Sequence, residues 1–109
     1  MLRAARETVL DWLLAGDVSI QYQTRRDLLD EERPELRARM AREGWGRRFL
    51  EARNSDCSWG RGFYQPKWTS SHYTLLDLKA LQIEPGHPVP QESIRRIADT
   101  HKGADGGIN

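Results

Sequence analysis

Residues 44–81 read GWGRRFLEARNSDCSWGRGFYQPKWTSSHYTLLDLKAL and hold seven of the chain's nine aromatic residues: Trp45, Phe49, Trp59, Phe63, Tyr64, Trp68 and Tyr73. Four of the nine glycines (Gly44, Gly46, Gly60 and Gly62) fall in the same stretch. Large rings provide burial and glycines allow sharp turns beneath them. The pattern predicts a kink at Gly44–Gly46, a helix from about 46 to 53, a packed aromatic turn, and a second helix from about 70 to 82. Thr69, Ser70 and Ser71 offer capping hydroxyls for that second helix. Its apolar residues Leu75, Leu76, Leu78, Leu81 and Ile83 point nearly all around the axis, which predicts an enclosed inner helix.

Upstream, Val9, Leu10, Leu13 and Leu14 form a stripe with Trp12 beside it, and Gly16 supplies a stop, so residues 4–15 are predicted helical. Asp17 or Ser19 can cap a helix in which Ile20, Thr24 and Leu28 recur every four residues and Val18, Tyr22 and Leu29 widen the face. Pro34 suits the first turn of a third helix, with Leu36 and Met40 as its apolar pair. Downstream, Pro85, Gly86, Pro88 and Pro90 predict a rigid connection without helix, and 91–101 returns to helix with a thin stripe of Ile94, Ile97 and Ala98. The outer helices have one apolar stripe each. The expected fold is therefore all-α, in two layers.

With 109 residues the chain forms one domain at most. A formal charge of +1 gives no global field toward nucleic acid or a membrane. Residues 33–53 carry seven arginines against Glu35, Glu43 and Glu51; at helical spacing this is a solvated face, with a nucleic-acid patch as the competing reading. Cys57 is the single cysteine, which excludes an internal disulfide and points to a reducing compartment. No apolar run approaches membrane-spanning length, so a cytoplasmic protein is expected.

The sequence also repeats. Arg47-Arg48-Phe49-Leu50 matches Arg95-Arg96-Ile97-Ala98. After one inserted residue, Asp56-Cys57-Ser58-Trp59 matches Asp105-Gly106-Gly107-Ile108. A weaker echo pairs Tyr22 with Tyr73. A period near fifty residues with helical hairpins marks a repeat array. The expected units span about 17–68 and 69–109, the second truncated after its turn, as in the front part of a longer chain.

FLEARNSDCSWG resembles the repeated turn of squalene and other terpenoid cyclases and of protein prenyltransferase β subunits, in which an aromatic-aliphatic pair and Gln precede Asp-Gly-x-Trp. The longer stretch 44–81 resembles a set of bacterial prenyltransferase-like proteins of that superfamily, WTSSHYTLL being its most specific part. The resemblance implies an α/α toroid of inner and outer helices, of which this chain would supply a part. Arg53 or Asn54 stands where the turn has Gln, Cys57 where it has Gly, and the cyclase Asp-x-Asp-Asp motif is absent.

Candidate sites follow. The resemblance implies a zinc set of Asp56, Cys57 and His72. The residues themselves read as a turn cap, a packed thiol and a first-turn hydrogen bonder. Arg61 and Lys67 beside the helix start at Thr69 and Ser70 could hold the diphosphate of an isoprenoid, the alternative being plain capping with the cations in solvent. Trp45, Trp59 and Trp68 are expected as buried structural elements of the turns, with Asp56 and Asp105 as the acidic residues that cap them. His72 and Asp77 are the candidates for acid-base chemistry. The sequence thus predicts a helical repeat domain without catalysis of its own, acting in a larger toroid or as a binding module. Its alternatives are an enzyme for an isoprenoid or other diphosphate, complete only with further repeats or by self-association, and an arginine-rich module contacting nucleic acid.

Overall fold

The computed structural model describes residues 2–108, with side-chain surroundings from residue 5 onward. Six helices follow in order: α1 (Leu2–Leu14), α2 (Val18–Leu28), α3 (Pro34–Arg39), α4 (Gly44–Glu51), α5 (Ser71–Ala80) and α6 (Pro88–Thr100). Among the described residues the only extended pairing is an isolated bridge between Lys102 and Ile108. The class is all-α. None of these helices is long and apolar enough to cross a membrane. The molecule is drawn out, 59 × 26 × 24 Å, with a radius of gyration of 16.9 Å where a compact chain of this length has about 13 Å.

The starts of α2 and α6 follow local chemistry, whereas those of α4 and α5 draw on more distant partners. Asp17 Oδ1 accepts the Ser19 N–H and caps α2, as the sequence predicts. The same carboxylate, through Oδ2, accepts the Trp45 N–H at 2.9 Å and so serves the first turn of α4. This distant cap lets α4 begin at Gly44, before the predicted start, with Gly44 at φ +65°. A Cβ there would collide with the Asp17 carboxylate. The proline-rich connection also differs from expectation: Pro88 and Pro90 lie inside α6. First-turn N–H groups have no helical partner, so proline is tolerated there. His87 Nδ1 accepts the Val89 N–H and completes this start.

Two apolar clusters divide the length. Val18, Tyr22, Leu36 and Met40 join α2 to α3. Trp59, Leu78 and Ile83 form the second cluster, with Phe49, Leu50 and Leu75 packed against it. Polar contacts connect the two. The carbonyls that end α5 have no helical donors of their own. Gln23 Nε2 donates to Ala80 O, Ser19 Oγ to Leu81 O, and Arg37 Nε to Gln82 O at 2.9 Å. Arg26 Nη1 reaches the Gln82 side chain at 2.9 Å. Of the predicted face of α2, Val18, Tyr22 and Thr24 are buried, while Ile20 and Leu28 are exposed and Ser19 is turned inward in their place. Demand for donors, along with burial of Val18 and Tyr22, sets the rotation of this helix.

Three further expectations are corrected. Trp45 is 53% and Trp68 70% exposed, so neither is a buried element of a turn. Each ring is covered in part by a neighbouring cation, Arg48 over Trp45 and Lys67 over Trp68. The helix α5 is not enclosed: Leu78 is buried, but Leu76 is 47% exposed. Trp59 is buried as expected, at 2% exposure, and its Nε1–H donates to Phe49 O at 2.7 Å. Trp59→Ala is expected to cost about 3–5 kcal/mol in chemical denaturation, the range for losing a large core aromatic; a loss below about 1 kcal/mol would remove Trp59 from its place as the clamp.

Candidate functional site

The turn after α4 is closed by a short set of hydrogen bonds. Asn54 N–H donates to Ser58 O at 2.7 Å, Cys57 N–H to Asn54 O at 3.0 Å, and Ser58 N–H to Asp56 Oδ1 at 3.1 Å. After α6 the pattern recurs. Gly103 N–H donates to Gly107 O at 2.6 Å, Gly106 N–H to Gly103 O at 2.9 Å, and Gly107 N–H to Asp105 Oδ1 at 3.0 Å. Cys57 at φ +71° corresponds to Gly106 at φ +87°. The preceding helix ends keep the same 49-residue offset, since Ala52 N–H donates to Arg48 O and His101 N–H to Ile97 O. No inserted residue separates helix end from turn, so Ile97 corresponds to Arg48 and not to Phe49.

The first turn seats both α5 and α6. Trp59 N–H donates to Ser71 Oγ at 2.8 Å, fixing the start of α5. Ser93 Oγ–H donates to Cys57 O, and Arg53 Nη1 bonds Val89 O, Glu92 and Ser93, fixing α6. The Cys57 thiol donates to Glu92 Oε1 at 2.8 Å, and this bond, with burial, pushes the thiol pKa up. The same bond, then Arg53, holds the Glu92 carboxyl below its usual range. Asp56 is also held down, first by the Ser58 hydroxyl and then by the Ser58 N–H.

Between α5 and α6 lies an open apolar groove of about 1240 Å³. Leu76, Ile94, Ile97 and Ile108 form its walls, Phe63, Tyr64 and His72 line it from the aromatic turn and the start of α5, and Arg37 and Lys79 bring cations to it. Ile94 is 49% and Ile108 45% exposed, so the lining is uncovered apolar surface. Such a concavity suits an apolar ligand chain or an amphipathic helix.

Of the predicted site residues only His72 lines this groove. Asp77 is exposed and does not line it. Arg61, Lys67 and Thr69 are exposed on the loop, while Ser70 is fully buried and its hydroxyl donates to Lys67 O. Ser70 is the α5 cap residue, yet its side chain makes no cap bond. The expected diphosphate cradle is therefore not assembled. Among the described residues no cluster of three His, Cys, Asp or Glu side chains is arranged to hold a metal ion, and Asp56, Cys57 and His72 do not converge as a zinc set. The arginines of 33–53 mostly serve local partners: Arg39 pairs with Glu43, Arg47 with Glu51, and Arg37 and Arg53 bond backbone carbonyls.

Sequence reasoning missed the groove itself, whose signal was present in the thin stripe Ile94–Ile97–Ala98 and in Leu76. Comparison with known proteins returned no matching family model, no matching curated protein and no matching solved structure.

Cys57 is expected to react with a disulfide reagent at pH 8 more than about tenfold slower in the native chain than in the urea-unfolded chain, because both access and thiolate fraction are reduced. Folding raises its pKa, so the native state holds the proton more tightly and stability declines as pH rises through the ordinary thiol value of about 8.5. Equal labelling rates would place the thiol in solvent.

Proposed function

We propose that the chain is a helical-hairpin repeat domain of the terpenoid cyclase and prenyltransferase type, acting without catalysis of its own as part of a larger array, with the α5–α6 groove as the face for a further hairpin. The observation that carries this reading is the pair of turns, Asn54–Ser58 and Gly103–Gly107, with matching hydrogen bonds at one offset. At the first turn, α5 follows and covers Phe49, Leu50 and Trp59. At the second turn, Ile97 and Ile108 border the groove instead. Repeat units bury their apolar faces only against neighbours. The surface supports the same reading: 7581 Å² is exposed, about 1,400 Å² more than the roughly 6,200 Å² of a compact monomer of 12.6 kDa. That excess on one chain is well above the roughly 800 Å² that each partner covers in a standard interface.

The reading is tested by building the next hairpin. A chain extended past Asn109 by a copy of residues 61–87 is expected to gain helix content and to melt more than about 4 °C higher. Ile97→Asp in the extended chain should cancel the gain. An appended segment that stays unfolded, with the melting point unchanged, would refute the repeat reading.

A second reading, an isoprenoid diphosphate ligand, is favoured by the apolar groove with Lys79 and Arg37 beside it. Under it, farnesyl diphosphate at millimolar concentration raises the melting temperature, inorganic diphosphate does not, and Lys79→Ala reduces the effect. No shift with farnesyl diphosphate would dismiss this ligand and leave the repeat reading intact.

A further inference from the structure

The ring contacts after Trp59 make one continuous series. Trp68 lies 5.0 Å from Tyr73, Tyr73 5.7 Å from Tyr64, Tyr64 5.3 Å from His72, His72 5.7 Å from Phe63, and Phe63 5.1 Å from His101. The outer rings reach solvent, with Trp68 70% and Tyr64 49% exposed. Core formation does not account for them, because the cluster around Trp59 closes without either. An exposed indole backed by further rings is costly in water and marks an interaction surface.

Charge narrows the ligand. From residue 57 to residue 76 the chain carries Arg61, Lys67 and His72 and no Asp or Glu. Asp77, one helical turn beyond Tyr73, is the acid that bounds the strip along α5. A cationic ligand is disfavoured, since the Lys67 ammonium already sits 4.8 Å from the centre of the Trp68 ring and no carboxylate of this segment balances it. A neutral sugar would need amide or carboxylate side chains around the ring, and Gln65 is the only such residue in the segment. Glu84 borders the groove beside Tyr64 and His72, but the segment that carries Trp68 has cations and no acid, which suits a ligand that alternates π surfaces with anionic groups.

We propose that this strip binds single-stranded nucleic acid, with Trp68 and Tyr64 as stacking faces for bases and Arg61 and Lys67 as phosphate contacts. Arg37 of the arginine-rich segment borders the same groove as Tyr64, but its guanidinium is engaged by Gln82 O and Ile83 O, so the site uses Arg61 and Lys67 and does not depend on the repeat reading. Stacking and phosphate contacts carry no base-edge readout, so binding tolerates sequence.

The test is a titration of the nitrogen-15-labelled full chain with hexathymidylate. The Trp68 indole N–H and the Tyr64 and Lys67 amides are expected to move, while the exposed indoles of Trp12 and Trp45 serve as internal controls and stay fixed. Trp68→Ala should weaken binding by roughly tenfold, typical of losing one base-stacking ring. Trp12→Ala should leave it unchanged. Two phosphate contacts on a single strand give a slope of about −1.4 for log K against log salt, and the double variant Arg61→Ala, Lys67→Ala flattens it. The proposal is overturned if Trp68 does not move at millimolar oligonucleotide, if all three indoles shift alike, or if a cello-oligosaccharide moves Trp68 and hexathymidylate does not.

Discussion

The C-terminal carbonyls of α5 impose the main constraint on this molecule. Their donors come from α2 and α3, through Ser19, Gln23 and Arg37, so three helices are joined by one line of hydrogen bonds. At its other end α5 is fixed by Ser71, whose hydroxyl accepts the Trp59 N–H. A helix held at both ends does not require burial on all sides. This is how Leu78 can be enclosed while Leu76, two residues earlier, stays open to the groove.

The Asp56–Trp59 turn has a comparable joining role. It ends α4, sends its indole beneath α5, and presents Cys57 O to Ser93 and Asp56 O to Arg96 of α6. Three helices thus meet at one short loop. Its counterpart at Asp105 has the same backbone pattern but no tryptophan, and Ile108 is left at the groove margin. Two clusters linked mainly by polar contacts also explain the length of the molecule. Neither cluster is large, and the chain does not wrap around a single centre.

Much of this was legible because it is decided locally. The caps at Asp17 and Asp56 and the proline start of α3 each depend on residues a few positions apart, whereas α5 begins after Thr69-Ser70 as expected but with its first N–H groups on Gly62 O and Phe63 O. What failed depends on distance. The start of α4 uses a carboxylate 28 residues upstream, which no window around Gly44 contains. Pro88 and Pro90 are compatible with either a linker or a first helical turn, and composition does not separate the two. Trp45 and Trp68 have the composition of core residues, but their exposure follows from where α4 and the aromatic loop sit. The predicted diphosphate cradle failed for a related reason: Ser70 turns inward to Lys67 O. The groove was not legible as a site, since it exists only once α5 and α6 are set side by side.

The anchoring of α5 has a consequence for recognition. One wall of the groove is rigid before anything enters it, since α5 cannot tilt without breaking bonds at both termini. An incoming chain or helix therefore meets a surface whose ordering entropy was already spent during folding, and the loss of freedom on association falls almost wholly on the guest.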